Sequence, residues 1–178
     1  MKKLLFVALT TLVCFCISCN NSSGNEQGEK NIATVHAVND AIESGDVSKV
    51  DQYIAADGVD HSGEHGEVKG IDSLKAAFLK MHSTYKDMKL EELRDAASGD
   101  YVFTLTRFTG TSTTASMGMP AGTSFDMTAV QVVKFNKDGK ATDHWEYMTA
   151  ADMMKMMGGE KNMGGNMENK ADTSKKSY

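Results

Sequence analysis

Cysteine is confined to the first nineteen residues, as Cys14, Cys16 and Cys19, and none follows. The rest of the chain is therefore no disulfide-stapled scaffold and has to hold its core by packing. Proline occurs once, at Pro120, and tryptophan once, at Trp145. Lys and Arg form no cluster, and the formal net charge is −5, which argues against nucleic acid as a partner. No glycine-rich phosphate loop and no nucleophile–His–acid set is legible. Beyond the N-terminus no apolar run approaches the roughly 20 residues that a spanning helix needs.

The one long apolar run, Leu4 to Ile17, follows Lys2 and Lys3. It has the pattern of a secretory signal and is short for a membrane span. Cys16-Ile17-Ser18-Cys19 resembles a bacterial lipobox, with Cys16 where Leu is usual. The resemblance implies cleavage after residue 18, a lipid on Cys19, and attachment to a membrane of the cell envelope. "NNSSGNEQGEKN" then reads as a flexible linker, so that residues 19–31 form a tether.

The region after the tether carries two periodicities. Val35, Val38 and Ile42 share a helical face that ends at Gly45, and Val47, Val50 and Ile54 suggest a second short helix. Leu74, Phe78, Met81 and Tyr85 mark a third. From residue 88 the period becomes two, with strands expected in "MKLEELRDA", "YVFTLTRFTGTST", "TSFDMTAVQVVKF" and "KATDHWEYM". "TAADMMKMM" reads as a short closing helix, and residues 158–178 as a disordered tail. Helices segregated from antiparallel strands predict an α+β fold, with helices packed on one face of a curved sheet.

His61-Ser62-Gly63-Glu64-His65 is a literal H-x-x-E-H, the string of inverted zinc peptidases. There it lies on a helix, which brings both histidines to one face. Here Gly58, Gly63, Gly66 and Gly70 crowd the segment, and each glycine inside a helix costs about 1 kcal/mol against alanine. The segment is expected to be a solvated turn without a metal. The methionines raise a second metal question, because seven of thirteen lie at or after Met148. Thioethers suit Cu(I), but no His or Cys stands nearby to complete a site, and adaptable packing is the simpler reading. No cofactor is expected.

Three stretches together resemble the SnoaL-like domains of the NTF2-like superfamily, which include polyketide and ester cyclases. They are "VDHS" running into "GIDSLKAAF", the long "GDYVFTLTRFTGTSTTASMGMPAGTSFDM", and "VVKFNKDGKATDHW". The resemblance covers about residues 32–150, and the domain is expected over residues 32–157. It implies a cone, in which a bent sheet wraps against helices around an apolar pocket for a small molecule. It implies a homodimer by analogy alone. Members of the superfamily include both enzymes and non-catalytic binders, so the fold does not fix the activity.

Hairpin parity supplies site residues. If "NKDG" is a four-residue loop, Phe135 pairs with Lys140, Gln131 lies opposite His144, and Ala129 lies opposite Glu146. Met127, Gln131, Val133 and Phe135 then share the pocket face with Thr142, His144, Glu146 and Met148. A slip of one residue would put Trp145 there instead. His144 is the candidate general base or acid, with Glu146 a second. The "VDH" resemblance implies His61 at the pocket mouth. Arg107 is a candidate partner for an acid or a ligand, and Asp126 falls on the opposite face by parity. Gln131 departs from the resemblance, because cyclase-like members often carry an acid near this position. An amide can orient a substrate but cannot move a proton. The expected function is binding of a small apolar molecule, with proton transfer by His144 or with no chemistry at all.

Overall fold

The computed structural model describes residues 22–63, 65–116 and 118–156. In chain order the elements are α1 (Ser22–Ser44), α2 (Val50–Tyr53), β1 (Ile54–Asp60), β2 (Val68–Lys69), α3 (Ile71–Thr84), β3 (Tyr85–Ser98), β4 (Tyr101–Ser112), β5 (Ser124–Phe135), β6 (Ala141–Met148) and α4 (Ala150–Met156). Six strands form one curved, unclosed sheet in the order β2-β1-β6-β5-β4-β3, packed against the helices. β1 runs parallel to β6 and every other pair is antiparallel. The α+β architecture expected from the two periodicities is the one observed. Among the described residues no helix is long and apolar enough to cross a membrane.

The helices cover one face of the sheet with the residues their spacing selects. Ile42 from α1, Leu74 and Phe78 from α3, and Met88 and Leu90 from β3 join Val50 and Ile54 in the larger core cluster. Val35, Val102, Val133 and Phe135 form a second one. Along β4 Val102, Thr104 and Thr106 are buried at alternate positions, as is Ser112 at the strand's end, the alternation of a half-buried strand.

The boundaries differ from expectation in three places. The tether was expected to run to residue 31, but helix already begins at Ser22. Gly28 packs so closely on the sheet that a Cβ there would lie 2.8 Å from the Ala97 side chain. Asn31 is buried and accepts a hydrogen bond from Gln27. A composition that reads as linker is thus held as helix by contact with β3. The second helix is only Val50–Tyr53, and Ile54 instead opens β1. The glycine-rich stretch contributes Gly58 to that strand, where a Cβ would meet Ile54 Cγ2 at 2.7 Å. The β1–β6 register is irregular between Ile54 and Val59, so Gly58 sits where the strand bends.

The third difference is the closing hairpin. Asn136 organises the turn, accepting hydrogen bonds on Oδ1 from the Asp138 and Lys140 amides, and Gly139 takes φ +73°. Phe135 pairs with Ala141 rather than Lys140, and Lys134 pairs with Asp143. Thr142 is the extra residue of a bulge, and its hydroxyl reaches the Lys134 carbonyl. The register beyond the bulge is therefore offset by two from the expected one. His144 lies opposite Val133, and Glu146 opposite Gln131. An offset of two preserves the face, so His144 and Glu146 still point inward, while Ala141 takes the inward place expected for Thr142.

Candidate active site

Between the helices and the sheet lies a cavity with about 90 Å³ of space reachable by the centre of a water-sized sphere. Its walls are mostly apolar. They include Val35, Val38 and Ile42 of α1, Phe78 and Met81 of α3, and Leu90, Phe108 and Phe135 of the sheet. Among the described residues neither Lys nor Arg lines it. Its titratable and amide groups on the sheet are Asp60, Gln131, His144 and Glu146. These stand on three neighbouring strands, β1, β6 and β5, in a continuous patch fixed by the register.

His144 Nδ1 lies 2.9 Å from Asp60 Oδ1. Burial pushes the Asp60 carboxyl up, but the His144 hydrogen bond and charge, with the Ser62 amide, outweigh it and the net shift is downward. An ionised carboxylate is an acceptor only, so Nδ1 carries the proton. Nε2 is the remaining ring nitrogen, and no described residue hydrogen-bonds to it. This is the arrangement a general base needs: one nitrogen fixed and the other open to a ligand.

Glu146 sits on the same face. Its amide donates to Ser62 Oγ at 2.6 Å, but its carboxyl makes no hydrogen bond to a described residue. Burial raises its pKa, and the neighbouring Asp60 charge adds to the rise against the opposing influence of His144. A carboxyl whose pKa is raised in this way keeps its proton to higher pH than an exposed one, which suits it to donate. Gln131, directly across the strand pair from Glu146, is 5% exposed. Its side-chain amide also has no hydrogen-bonding partner among the described residues. Two polar side chains without hydrogen-bond partners among the described residues thus line the same cavity as His144. On α1, Asn39 adds a polar edge to the cavity and is fixed by donating to Glu92 Oε1 at 2.8 Å.

The other expected site residues fall as follows. Val133 and Phe135 line the cavity. Met127 does not; it lies on the cavity side of β5 but further along the strand, opposite Phe108. His61 was expected at the pocket mouth, yet its ring stacks on Trp145 at 4.7 Å with planes 6° apart. Strand alternation explains this, because Asp60 faces inward and its neighbour must face outward. Each nitrogen of His61 meets a carboxylate, Glu67 at 2.8 Å and Asp143 at 3.0 Å. With a carboxylate at each nitrogen the ring suits the doubly donating imidazolium form, and the hydrogen bonds to Asp143 and Glu67 raise its pKa. Arg107 is exposed on the outer face and grips Asp126 with Nε and Nη2 at 2.8 and 2.6 Å.

Of the zinc-like string, His61 and Ser62 lie in a turn and Glu64 lies outside the described residues. Among the described residues no group of three or more His, Cys, Asp and Glu could hold a metal ion. The signal segment, Cys19 and residues 157–178 are also outside the described residues, so the lipid has no structural counterpart, nor do Met157, Met163 and Met167 of the seven late methionines. Met153 and Met154, in α4, are exposed. Asp60 is the functional group the sequence reading missed. Its partner is 84 positions away, on a strand that β1 joins in parallel, and no local pattern signals that pairing.

Solved structures share this architecture. TsrD from Streptomyces laurentii is 20% identical, with a TM-score of 0.64 over 74% of this chain and 96% of its own. IdmH, a putative polyketide cyclase from Streptomyces antibioticus, is 22% identical, with a TM-score of 0.59 over 72% and 98%. A LEH-like epoxide hydrolase of Mycobacterium tuberculosis is 18% identical, with a TM-score of 0.60 over 76% and 95%. At these identities the likeness establishes the fold alone, and no curated protein matches the sequence. The profile of one family does match, over residues 32–157, which takes in the cavity and every strand that builds it: the chain belongs to the SnoaL-like polyketide cyclase family.

Proposed function

We propose that the domain binds a small, largely apolar carbonyl compound in this cavity and moves a proton on it. The observation that carries the reading is the Asp60–His144 pair in the wall of an apolar cavity that Glu146 and Gln131 also line. His144 Nε2 takes a proton from the carbon next to the carbonyl, and the electron pair moves onto the carbonyl oxygen. The protonated Glu146 donates to that oxygen, and the Gln131 amide orients it. Return of the proton to the same carbon gives exchange, and its return elsewhere gives isomerisation. Attack by the carbanion on a second carbonyl gives ring closure. The family description, polyketide cyclase, favours the last outcome. Asp60 keeps the imidazole in the reactive tautomer and stays ionised throughout.

The test is proton exchange itself. The protein is incubated in D2O with a panel of aryl ketones and β-keto esters, and loss of the α-proton signal is followed by NMR. Exchange that disappears in His144→Gln supports the reading. Ligands that shift the amide spectrum but never exchange would overturn it in favour of a non-catalytic binding module. The amide at position 131, where cyclase-like relatives are expected to carry an acid, favours that second reading.

We propose also that the domain is tethered to a bacterial envelope membrane through lipid on Cys19, on the strength of the lipobox-like segment. Mass spectrometry of the membrane fraction should find a diacylglyceryl group on Cys19, and Cys19→Ser should release the protein.

A further inference from the structure

We propose that His61, on the outer face of the sheet, is a positioning residue for the Asp60–His144 pair on the inner face. The inference rests on the acid–base reading above, and its test reads the pair directly. The end of β1 holds β6 through consecutive residues. Asp60 Oδ1 accepts from His144 Nδ1 at 2.9 Å and from the Ser62 amide at 2.9 Å. The His61 amide donates to the His144 carbonyl at 2.9 Å. Ser62 Oγ accepts from the Glu146 amide at 2.6 Å. Backbone pairing beneath these contacts is thin: near the site β1 matches β6 only at Val59↔Asp143 and Asp60↔His144. β2, the neighbour of β1 at the sheet edge, has just two residues, Val68 and Lys69. A two-residue edge strand is weak support for a reactive geometry.

The His61 side chain supplies what the ladder lacks. Its ring lies flat on Trp145 of β6, Nε2 reaches Asp143 of β6, and Nδ1 reaches Glu67 in the loop before β2. One ring therefore ties β1, β6 and the β2 loop together on the face opposite the cavity. Both nitrogens must donate, which only the imidazolium does. Other charges bear on the same cluster. Lys69 pairs with Glu67 at 2.7 Å, the Thr142 hydroxyl is 2.9 Å from Asp143 Oδ2, Lys134 acts on Asp143, and Asp60 feels the His61 charge from within. Residues 60 and 61 are adjacent in the chain, so displacement of the outer ring moves the inner carboxylate.

Long-range ¹H–¹⁵N spectra of the full chain, labelled at histidine, distinguish the tautomers of its five imidazoles. In the wild type, neutral His144 should populate the Nδ1–H tautomer alone. In His61→Gln that single population should split between the two tautomers. His61→Arg, which keeps a cation between Glu67 and Asp143, should restore most of it. If His61→Gln fails to fold, Glu67→Gln removes one arm only and should shift the His144 tautomer ratio in the same direction. A folded His61→Gln or Glu67→Gln protein whose His144 signals match the wild type overturns the inference. The readout involves no substrate, so a silent proton-exchange assay would sink the catalytic reading without touching this one.

Discussion

The two faces of β6 carry the same chemical vocabulary and use it in opposite ways. Inward, His144 and Glu146 meet one carboxylate, Asp60, in a cavity that no described Lys or Arg lines. Outward, beside Asp143 and Trp145, His61 meets two carboxylates at the protein surface. One partner on Nδ1 leaves Nε2 of His144 open. Two partners occupy both nitrogens of His61 and hold it charged. The carboxyls diverge as well: burial raises Glu146, whereas the His61 hydrogen bond leads the lowering of Asp143 against a smaller effect of burial. Residue type therefore decides little here. The count of partners and the access of water decide which histidine keeps a nitrogen open and which is held at both.

The sharpest way to break this comparison is to remove the inward histidine. His144→Gln should lower proton exchange by about 10²–10⁴-fold, the usual contribution of a positioned acid or base, with ligand-induced shifts in the amide spectrum retained. Asp60→Asn should also slow exchange, because a neutral amide can accept from or donate to Nδ1 and no longer fixes the tautomer. An Asp60→Asn protein that exchanges at the wild-type rate would show the pair to be structural.

Glu146 gives the next largest effect, on stability as well as on rate. Its folded pKa is raised above that of the unfolded chain. Its contribution to stability is then fully present below the unfolded pKa, near 4.3 for glutamate, and is lost as pH rises through the folded value. Glu146→Gln removes that loss. Its Tm should exceed the wild type's by a few degrees at pH 8, with the gap narrowing as pH falls toward 4, while exchange slows for want of the proton donor. Thermal melts across that range would decide it, and a gap independent of pH would place Glu146 in solvent.

His61 should show a smaller dependence in a different window. Its raised pKa gives a contribution present below the unfolded value of about 6.5 and lost as pH climbs through the folded one. Glu67 and Asp143 are lowered, so their contribution is present above the unfolded carboxyl values and fades as acid protonates them. The cluster should be firmest near pH 5–6, between those limits. His61→Gln should flatten the alkaline decline in Tm above pH 6.5, and a parallel decline in the variant would assign it to other groups.

How far the sequence carries these distinctions follows from the range of each interaction. The change of period from helical to alternating announced the helices, the antiparallel strands and the inward face of β5, because each depends on residues a few positions apart. Parity also placed His144 and Glu146 on one face, although the Thr142 bulge moved their partners by two. Relations between distant segments were not legible. Asp60 and His144 meet across a parallel pair of strands, and nothing in "VDHS" tells which of two neighbours, Asp60 or His61, turns inward. The helix from Ser22 was hidden for the same reason, since its support comes from β3 rather than from its own composition.

The smallest expected effect tests whether the outer face as a whole is sensitive or only the His61 clamp. Arg107 looks the more imposing residue there, with a two-pronged grip on Asp126 and a further contact to Glu91 at 3.6 Å. All three side chains are exposed, and β4 and β5 are already joined by a continuous register from Tyr101↔Lys134 to Thr111↔Ser124. An exposed pair on a well-laddered region is screened by water and salt, and it holds nothing the backbone does not hold. Arg107→Ala should leave Tm, the His144 tautomer and proton exchange at their wild-type values at pH 7, in low and high salt alike. His61 differs because it spans the one place where the ladder is thin. A loss of stability in Arg107→Ala equal to that of His61→Gln would mean that the sheet depends on its outer charges generally, and the clamp would lose its special standing.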